Sequence, residues 1–244
     1  GFFVLYLFSV FPRTLSPAAV GWGLVCAAMQ IVNLDELKRN GALWQGRRNI
    51  LATDRALASG WRVLDELLGG GWPRAALAEV LGESHQGLPL VLPLLARLSR
   101  ELRWLAWVAP PYVPYAPALA ARGLRVEQLL LIRDVSAGQR LWAAEQALKS
   151  AACSAVLVWP EQVRTAQLRR LQLAAEQGDC PVILFRPSSA AGQGSPAALR
   201  LRVRPAPQGL EVEVLKRRGA WGSETCTVPI QGGDGLSRGM AVAQ

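Results

Sequence analysis

Histidine and paired cysteines are scarce in this 244-residue chain. His85 is the single histidine, and Cys26, Cys153, Cys180 and Cys226 are scattered with no C-x-x-C spacing. Metal sites in proteins are built largely from clustered ligands of these types, so the sequence predicts no metal site. Scattered cysteines are typical of structural thiols in a reducing compartment.

Apolar runs of membrane-spanning length are also lacking. The stretches 2–11 and 18–32 are shorter than the roughly 20 residues that a transmembrane helix needs. Residues 1–28 contain no acidic residue, and Met29 is the first methionine. We expect 1–28 to be a non-native apolar leader translated from upstream sequence, with a membrane-associated leader as the alternative. The chain is predicted to be cytoplasmic, without a membrane partner.

The composition is that of a folded protein with a basic surface. Hydrophobic residues make up 51% and charged residues 18% of the chain, enough apolar material for a sizeable core. The formal net charge of +9 suits acidic partners such as nucleic acid, but a generic basic protein would show the same balance.

From residue 60 onward, apolar segments alternate between strand and helix patterns. The predicted strands are 76–81, 104–108, 128–132, 155–159 and 181–185. The predicted helices between them are 88–98, 116–122, 139–150 and 164–177. Nearly continuous apolar strands are typical of a sheet buried on both faces, so the pattern predicts an α/β fold with a mostly parallel sheet flanked by helices.

The C-terminal part has a different period. Residues 199–204 and 210–215 alternate polar and apolar side chains, which predicts a C-terminal β-hairpin with one apolar face. Cross-strand pairing is expected from Arg200, Arg202 and Arg204 to Glu211 and Glu213. Gly, Ser and Thr dominate from residue 219, so 219–244 is predicted to be a flexible tail.

Residues 82–89 keep the glycine spacing of a phosphate-binding loop but lack its chemistry. Gly82 and Gly87 match the spacing of G-x-x-x-x-G-K-[ST]. Leu88 stands where lysine would reach the phosphates, and Pro89 stands where a hydroxyl would hold magnesium. Pro89 also lacks a backbone N–H. We therefore predict a degenerate phosphate loop, no catalytic residue, no cofactor and no nucleotide hydrolysis.

Two groups of residues are candidates for contacts with a partner. Two tyrosines stand between prolines after the strand 104–108, where they either anchor a partner or cap the sheet. A basic run follows the hairpin, where it either is solvated or contacts DNA or an acidic partner. A lone tryptophan follows that run. The candidates are Tyr112, Tyr115, Lys216, Arg217, Arg218 and Trp221.

Several stretches resemble known families. Residues 59–82, with three successive glycines at 69–71, look like the lead-in to the phosphate loop of RecA. The blocks 70–73, 108–117, 169–176 and 185–187 resemble ImuA, a RecA-like, SulA-related family. The resemblance implies a degenerate RecA-like core at 59–218, preceded by an N-terminal helix and basic connector at 29–58.

The ImuA resemblance implies a function without catalysis. It predicts an accessory protein of SOS-induced, error-prone translesion DNA synthesis that acts as an adaptor. The implied partners are RecA, an ImuB-type polymerase-like scaffold and a DnaE-type error-prone polymerase. The alternative is a SulA-type cell division inhibitor that binds FtsZ, and a third hypothesis is a residual nucleotidase. Neighbouring polymerase genes would favour the first reading.

Overall fold

A computed structural model describes residues 56–83, 86–133, 135–218 and 224–230, all within the compact unit Gly46–Gln244. The predictions for the leader, the N-terminal helix, His85 and Trp221 lie outside these residues. The strands are β1 (Ala56–Leu57), β2 (Trp72–Pro73), β3 (Leu77–Leu81), β4 (Trp104–Val108), β5 (Leu129–Ile132), β6 (Cys153–Val158), β7 (Val182–Arg186), β8 (Leu199–Ala206), β9 (Gly209–Arg217) and β10 (Glu224–Val228). The helices are α1 (Arg62–Leu68), α2 (Leu88–Leu98), α3 (Ala116–Ala121), α4 (Ala137–Lys149) and α5 (Thr165–Gln177), with 3-10 turns at Val126–Gln128 and Ser188–Gly192.

Eight of these strands form one sheet in the order β10-β9-β8-β3-β7-β6-β4-β5. The pairs from β8 to β5 are all parallel, and β9 and β10 continue the sheet antiparallel. This confirms the predicted mostly parallel α/β sheet with a C-terminal hairpin. No helix in the described ranges is long and apolar enough to cross a membrane.

Helices cover both faces of the sheet, and each face has its own core. Leu64 of α1, Leu94 of α2 and Leu119 of α3 belong to the core on the first face. Leu141 of α4 and Leu171 of α5 belong to the core on the second face. Every residue of β3, β6 and β7 is buried, as expected for central strands covered on both sides.

The hairpin β8–β9 pairs two of its three arginines as the sequence predicts. Arg202 lies 3.5 Å from Glu213, and Arg204 lies 3.3 Å from Glu211. The prediction is wrong for Arg200, which is buried against Glu79 instead. The reason is the parallel neighbour of β8: Arg200 stands opposite Glu79 in the β3–β8 register.

The prediction of a flexible tail is wrong for residues 224–228, which form the strand β10. Cys226 and Val228 stand opposite Val212 and Leu210 of β9, and both contact the first core. These two apolar side chains alternate with threonines, which gives the segment one buried face. The alternation extends over only five residues. Small polar residues surround it, so the sequence pattern did not indicate a strand.

Candidate functional site

The carboxyl ends of β3, β4, β6 and β7 enclose a cleft of about 500 Å³. Ligands of open α/β sheets bind in crevices at this edge, next to points where the chain reverses its direction across the sheet. Such a reversal occurs at β4. The chain reaches its neighbour β5 through α3 on the first face, and it reaches its other neighbour β6 through α4 on the second face. The walls of the cleft contain four prolines, three arginines and two aromatic side chains.

The aromatic side chains fill the space beneath the cleft. The rings of Trp159 and Phe185 are stacked, with centroids 4.6 Å apart and planes 10° apart. Trp107 contacts Trp159 from the other side, at a centroid distance of 5.8 Å. All three are buried. An apolar stack therefore occupies this end of β6 and β7, and Pro160 follows it in the chain.

Three backbone amides of the loop, those of Gly82, Glu83 and Gln86, already have partners within the protein. The amide of Gly82 donates to the carbonyl of Arg186 at 2.9 Å. The amide of Gln86 donates to the carbonyl of Glu83 at 3.0 Å, and the amide of Glu83 donates to Oε1 of Gln86 at 3.3 Å. A phosphate-binding loop needs such amides free to face the anion.

Close packing accounts for both glycines of the loop. A Cβ on Gly87 would lie 2.4 Å from Cγ1 of Val80 and 3.0 Å from Cε1 of Phe185. A Cβ on Gly82 would lie 2.7 Å from Cγ2 of Val203. Both contacts are too short for a real side chain, so these positions require glycine with or without a nucleotide.

The remaining two loop positions belong to the helix that follows. Leu88 is the first residue of α2 and packs against the first core. Pro89 lies in the first turn of α2, where its missing N–H costs no helical hydrogen bond. Both residues therefore support the helix and the core.

We expect calorimetry to show no saturable ATP binding below millimolar concentration, with or without magnesium. The loop has no lysine to contact the phosphates, and the amides described above are engaged. A magnesium-dependent dissociation constant in the micromolar range would contradict this prediction.

An exposed aromatic rim, consisting of Tyr112, Val113 and Tyr115, follows β4 at the same edge of the sheet. Tyr112 is 45% and Tyr115 56% exposed, so about half of each ring is accessible to a partner. Neighbouring prolines restrict the backbone of this segment. The rim therefore presents apolar surface at a low cost in conformational entropy on binding.

The basic run Lys216–Arg218 lies at the amino ends of the parallel strands, away from the cleft at their carboxyl ends. Arg217 stands opposite Leu199, the first residue of β8. Lys216 donates to the carbonyl of Ser195 at 2.7 Å, and burial together with the charge of Arg200 lowers the pKa of Lys216. Arg217 donates to the carbonyl of Leu67 at 2.5 Å. The first two cations are thus tied to neighbouring segments, and Arg218 is exposed. The structure does not bring this run together with the aromatic rim.

Sequence reasoning missed a buried ion network beside the cleft. Glu79 accepts from Nη1 of Arg186 at 2.7 Å and from Nε of Arg200 at 2.5 Å. Arg200 also donates to the carbonyls of Ala190 and Ala191 in the 3-10 turn. The signal was present in the sequence, because Glu79 is a lone acid within an otherwise apolar strand.

Comparisons with known proteins agree on one family. The model of the family described as "Cell division inhibitor SulA" matches residues 78–181. A "Cell division inhibitor SulA" of Edwardsiella piscicida is 34% identical over 118 residues, which cover 47% of this chain and 70% of that protein. The chain belongs to the SulA family. A crystal structure of SulA from Pseudomonas aeruginosa is 30% identical, with 47% of this chain and 99% of that chain covered and a TM-score of 0.40.

These matches correct the function predicted from the ImuA resemblance. The SulA-related part of that prediction is confirmed, whereas the ImuA assignment itself is not. The predicted role in translesion synthesis is wrong, and so are the predicted partners RecA, the ImuB-type scaffold and the DnaE-type polymerase. The family model and the relative both point to the alternative, a cell division inhibitor.

Proposed function

We propose that this protein is a non-enzymatic cell division inhibitor that binds FtsZ and blocks its polymerisation. The observation that carries the proposal is the 34% identity to a cell division inhibitor over 70% of that protein's length. The proposal places this action in the cytoplasm and within the SOS response. The predicted degenerate RecA-like core is part of the same proposal, as the scaffold that presents the binding surface.

The chemistry of the cleft supports binding as the activity. Its floor is an aromatic stack, and the amides of Gly82, Glu83 and Gln86 in its loop are satisfied within the protein. No cluster of three or more metal-ligating side chains occurs among the described residues. What this edge of the molecule offers to a partner is shape, apolar surface and charge.

The aromatic rim is the surface that we assign to FtsZ. It lies within residues 78–181, the part of the chain that the family model matches. Its three side chains lie within four consecutive residues, and each is about half exposed. Exposed tyrosines on a restricted backbone are typical anchors of protein interfaces, where a few residues supply most of the binding energy.

We expect the purified protein to suppress FtsZ assembly, measured by light scattering, and its expression to turn a rod-shaped bacterium into filaments. The double substitution Tyr112→Ala and Tyr115→Ala should weaken binding to FtsZ by at least about thirtyfold, the effect of losing one hot-spot residue. Its melting temperature should change little, because about half of each ring is exposed.

Trp142→Ala is the matched control, since Trp142 is a 58% exposed aromatic on α4 outside the rim. Normal FtsZ assembly at saturating wild-type protein would contradict the proposed function. Inhibition that survives the double substitution would contradict only the assignment of the rim.

A further inference from the structure

The three arginines of the cleft differ in how many hydrogen-bond and ion-pair partners they have. Arg186 is committed to Glu79 and to Gln193, at 2.7 Å each. Arg140 contacts Glu161 at 2.9 Å, but its Nε is buried and no described group accepts its hydrogen. Arg133 is exposed at the end of β5, and no described acidic residue pairs with it. Among the described residues, the cleft therefore offers one guanidinium without an acidic partner and one partly satisfied guanidinium.

This charge pattern favours a carboxylate over a polyphosphate. Two guanidinium groups can bind one carboxylate through charge-assisted, fork-like hydrogen bonds. A polyphosphate would bring several negative charges next to Glu83, an exposed acid that also lines the cleft. It would also meet loop amides that already donate within the protein.

The walls of the cleft suit the apolar part of a peptide. Four prolines, with the edges of Trp159 and Phe185, surround the arginines. The volume of about 500 Å³ is that of a pocket for a ligand of several side chains. Apolar walls with a few fixed polar groups are the usual composition of such sites.

We infer that the cleft binds a short acidic segment of a partner protein. A carboxylate of that segment lies between Arg133 and Arg140, and a neighbouring apolar side chain lies against the prolines and Trp159. This site adjoins the aromatic rim, because Pro111 lines the cleft and Tyr112 follows it, but the two share no residue, and the cleft is tested without FtsZ. Its success or failure is therefore independent of the proposed function.

The test is a selection of random twelve-residue peptides by mRNA display on the wild-type protein. Selected peptides are then synthesised with a fluorescent label and measured by anisotropy against Arg133→Gln and Arg140→Gln. We expect them to carry Asp or Glu next to an apolar residue and to lose about tenfold in affinity for each variant, the effect of one charge-assisted contact. Arg169→Gln, the same change on the exposed face of α5, should leave binding unchanged.

Each outcome decides the inference. Replacing the peptide's acid with its amide should reproduce the loss seen with the arginine variants. Enriched peptides without acids, equal binding to all variants, or no enrichment would overturn it. Displacement of the peptide by inorganic phosphate or ATP below millimolar concentration would assign the cleft to phosphate instead. Arg133→Gln keeps the test valid if Arg140→Gln unfolds, because the Arg133 side chain is exposed.

Discussion

Replacing Glu79 with glutamine is expected to lower the free energy of unfolding by about 3–5 kcal/mol. Glu79 is fully buried and is the carboxylate partner of both Arg186 and Arg200, which are themselves more than nine-tenths buried. Removing its charge leaves two guanidinium groups in the interior without a counter-ion. Urea denaturation followed by circular dichroism measures the loss.

The control for Glu79→Gln is Glu211→Gln, which removes an exposed carboxylate 3.3 Å from Arg204. Exposed pairs contribute roughly 0–1 kcal/mol, so this variant should unfold almost as the wild type does. A triple variant with Glu79→Leu, Arg186→Met and Arg200→Met should regain most of the loss, since it removes all three charges of this network. Equal stability of Glu79→Gln and Glu211→Gln would show that the network does not stabilise the fold.

The network links the central strands to the wall of the cleft. Glu79 is on β3, and its partners are on the two strands that flank β3 in the sheet. Arg186 is also a lining residue of the cleft, and it holds Gln193 beyond the 3-10 turn. Folding stability and the shape of the candidate site therefore depend on the same buried carboxylate.

The sequence was sufficient to predict most of the elements between residues 60 and 217. Helix 88–98 and strand 104–108 have the bounds observed for α2 and β4. Both are nearly continuous apolar runs, which central elements of a two-faced sheet require. The two-residue strands β1 and β2 were missed, because a pair of that length carries no periodic signal.

The candidate site was predictable only in its loop. Gly82 and Gly87 were found by their spacing, although their packing against Val203, Val80 and Phe185 could not be foreseen. The cleft arginines could not be found at all. They stand on three different elements, and only the strand order, which depends on contacts distant in sequence, brings them to one edge.

Partner identity was the weakest inference from the sequence. The blocks at 108–117 and 169–176 suggested the translesion family, whereas the matched family is that of the division inhibitors. Only Val108 of the first block and Leu171, Ala174 and Ala175 of the second are buried, so most of both blocks lies at the surface. A fold can carry different binding surfaces, so resemblance over two short stretches does not determine the partner.

Trp159→Ala is expected to cost about 3–5 kcal/mol of unfolding free energy, the usual range for truncating a buried tryptophan. Trp159 is 6% exposed and packs between Phe185 and Trp107 under the cleft. Truncation removes both ring contacts and leaves a cavity that the surrounding strands can fill only partly, because each is fixed in the parallel sheet.

The measurement is again urea denaturation, with Trp142→Ala as the control because that side chain is the same type but largely exposed. The control should change stability by no more than about 0.5 kcal/mol. If the floor of the cleft is a packed aromatic stack, Trp159→Ala must be several times more costly than Trp142→Ala. Equal, small losses would mean that the stack contributes little to the stability of the fold.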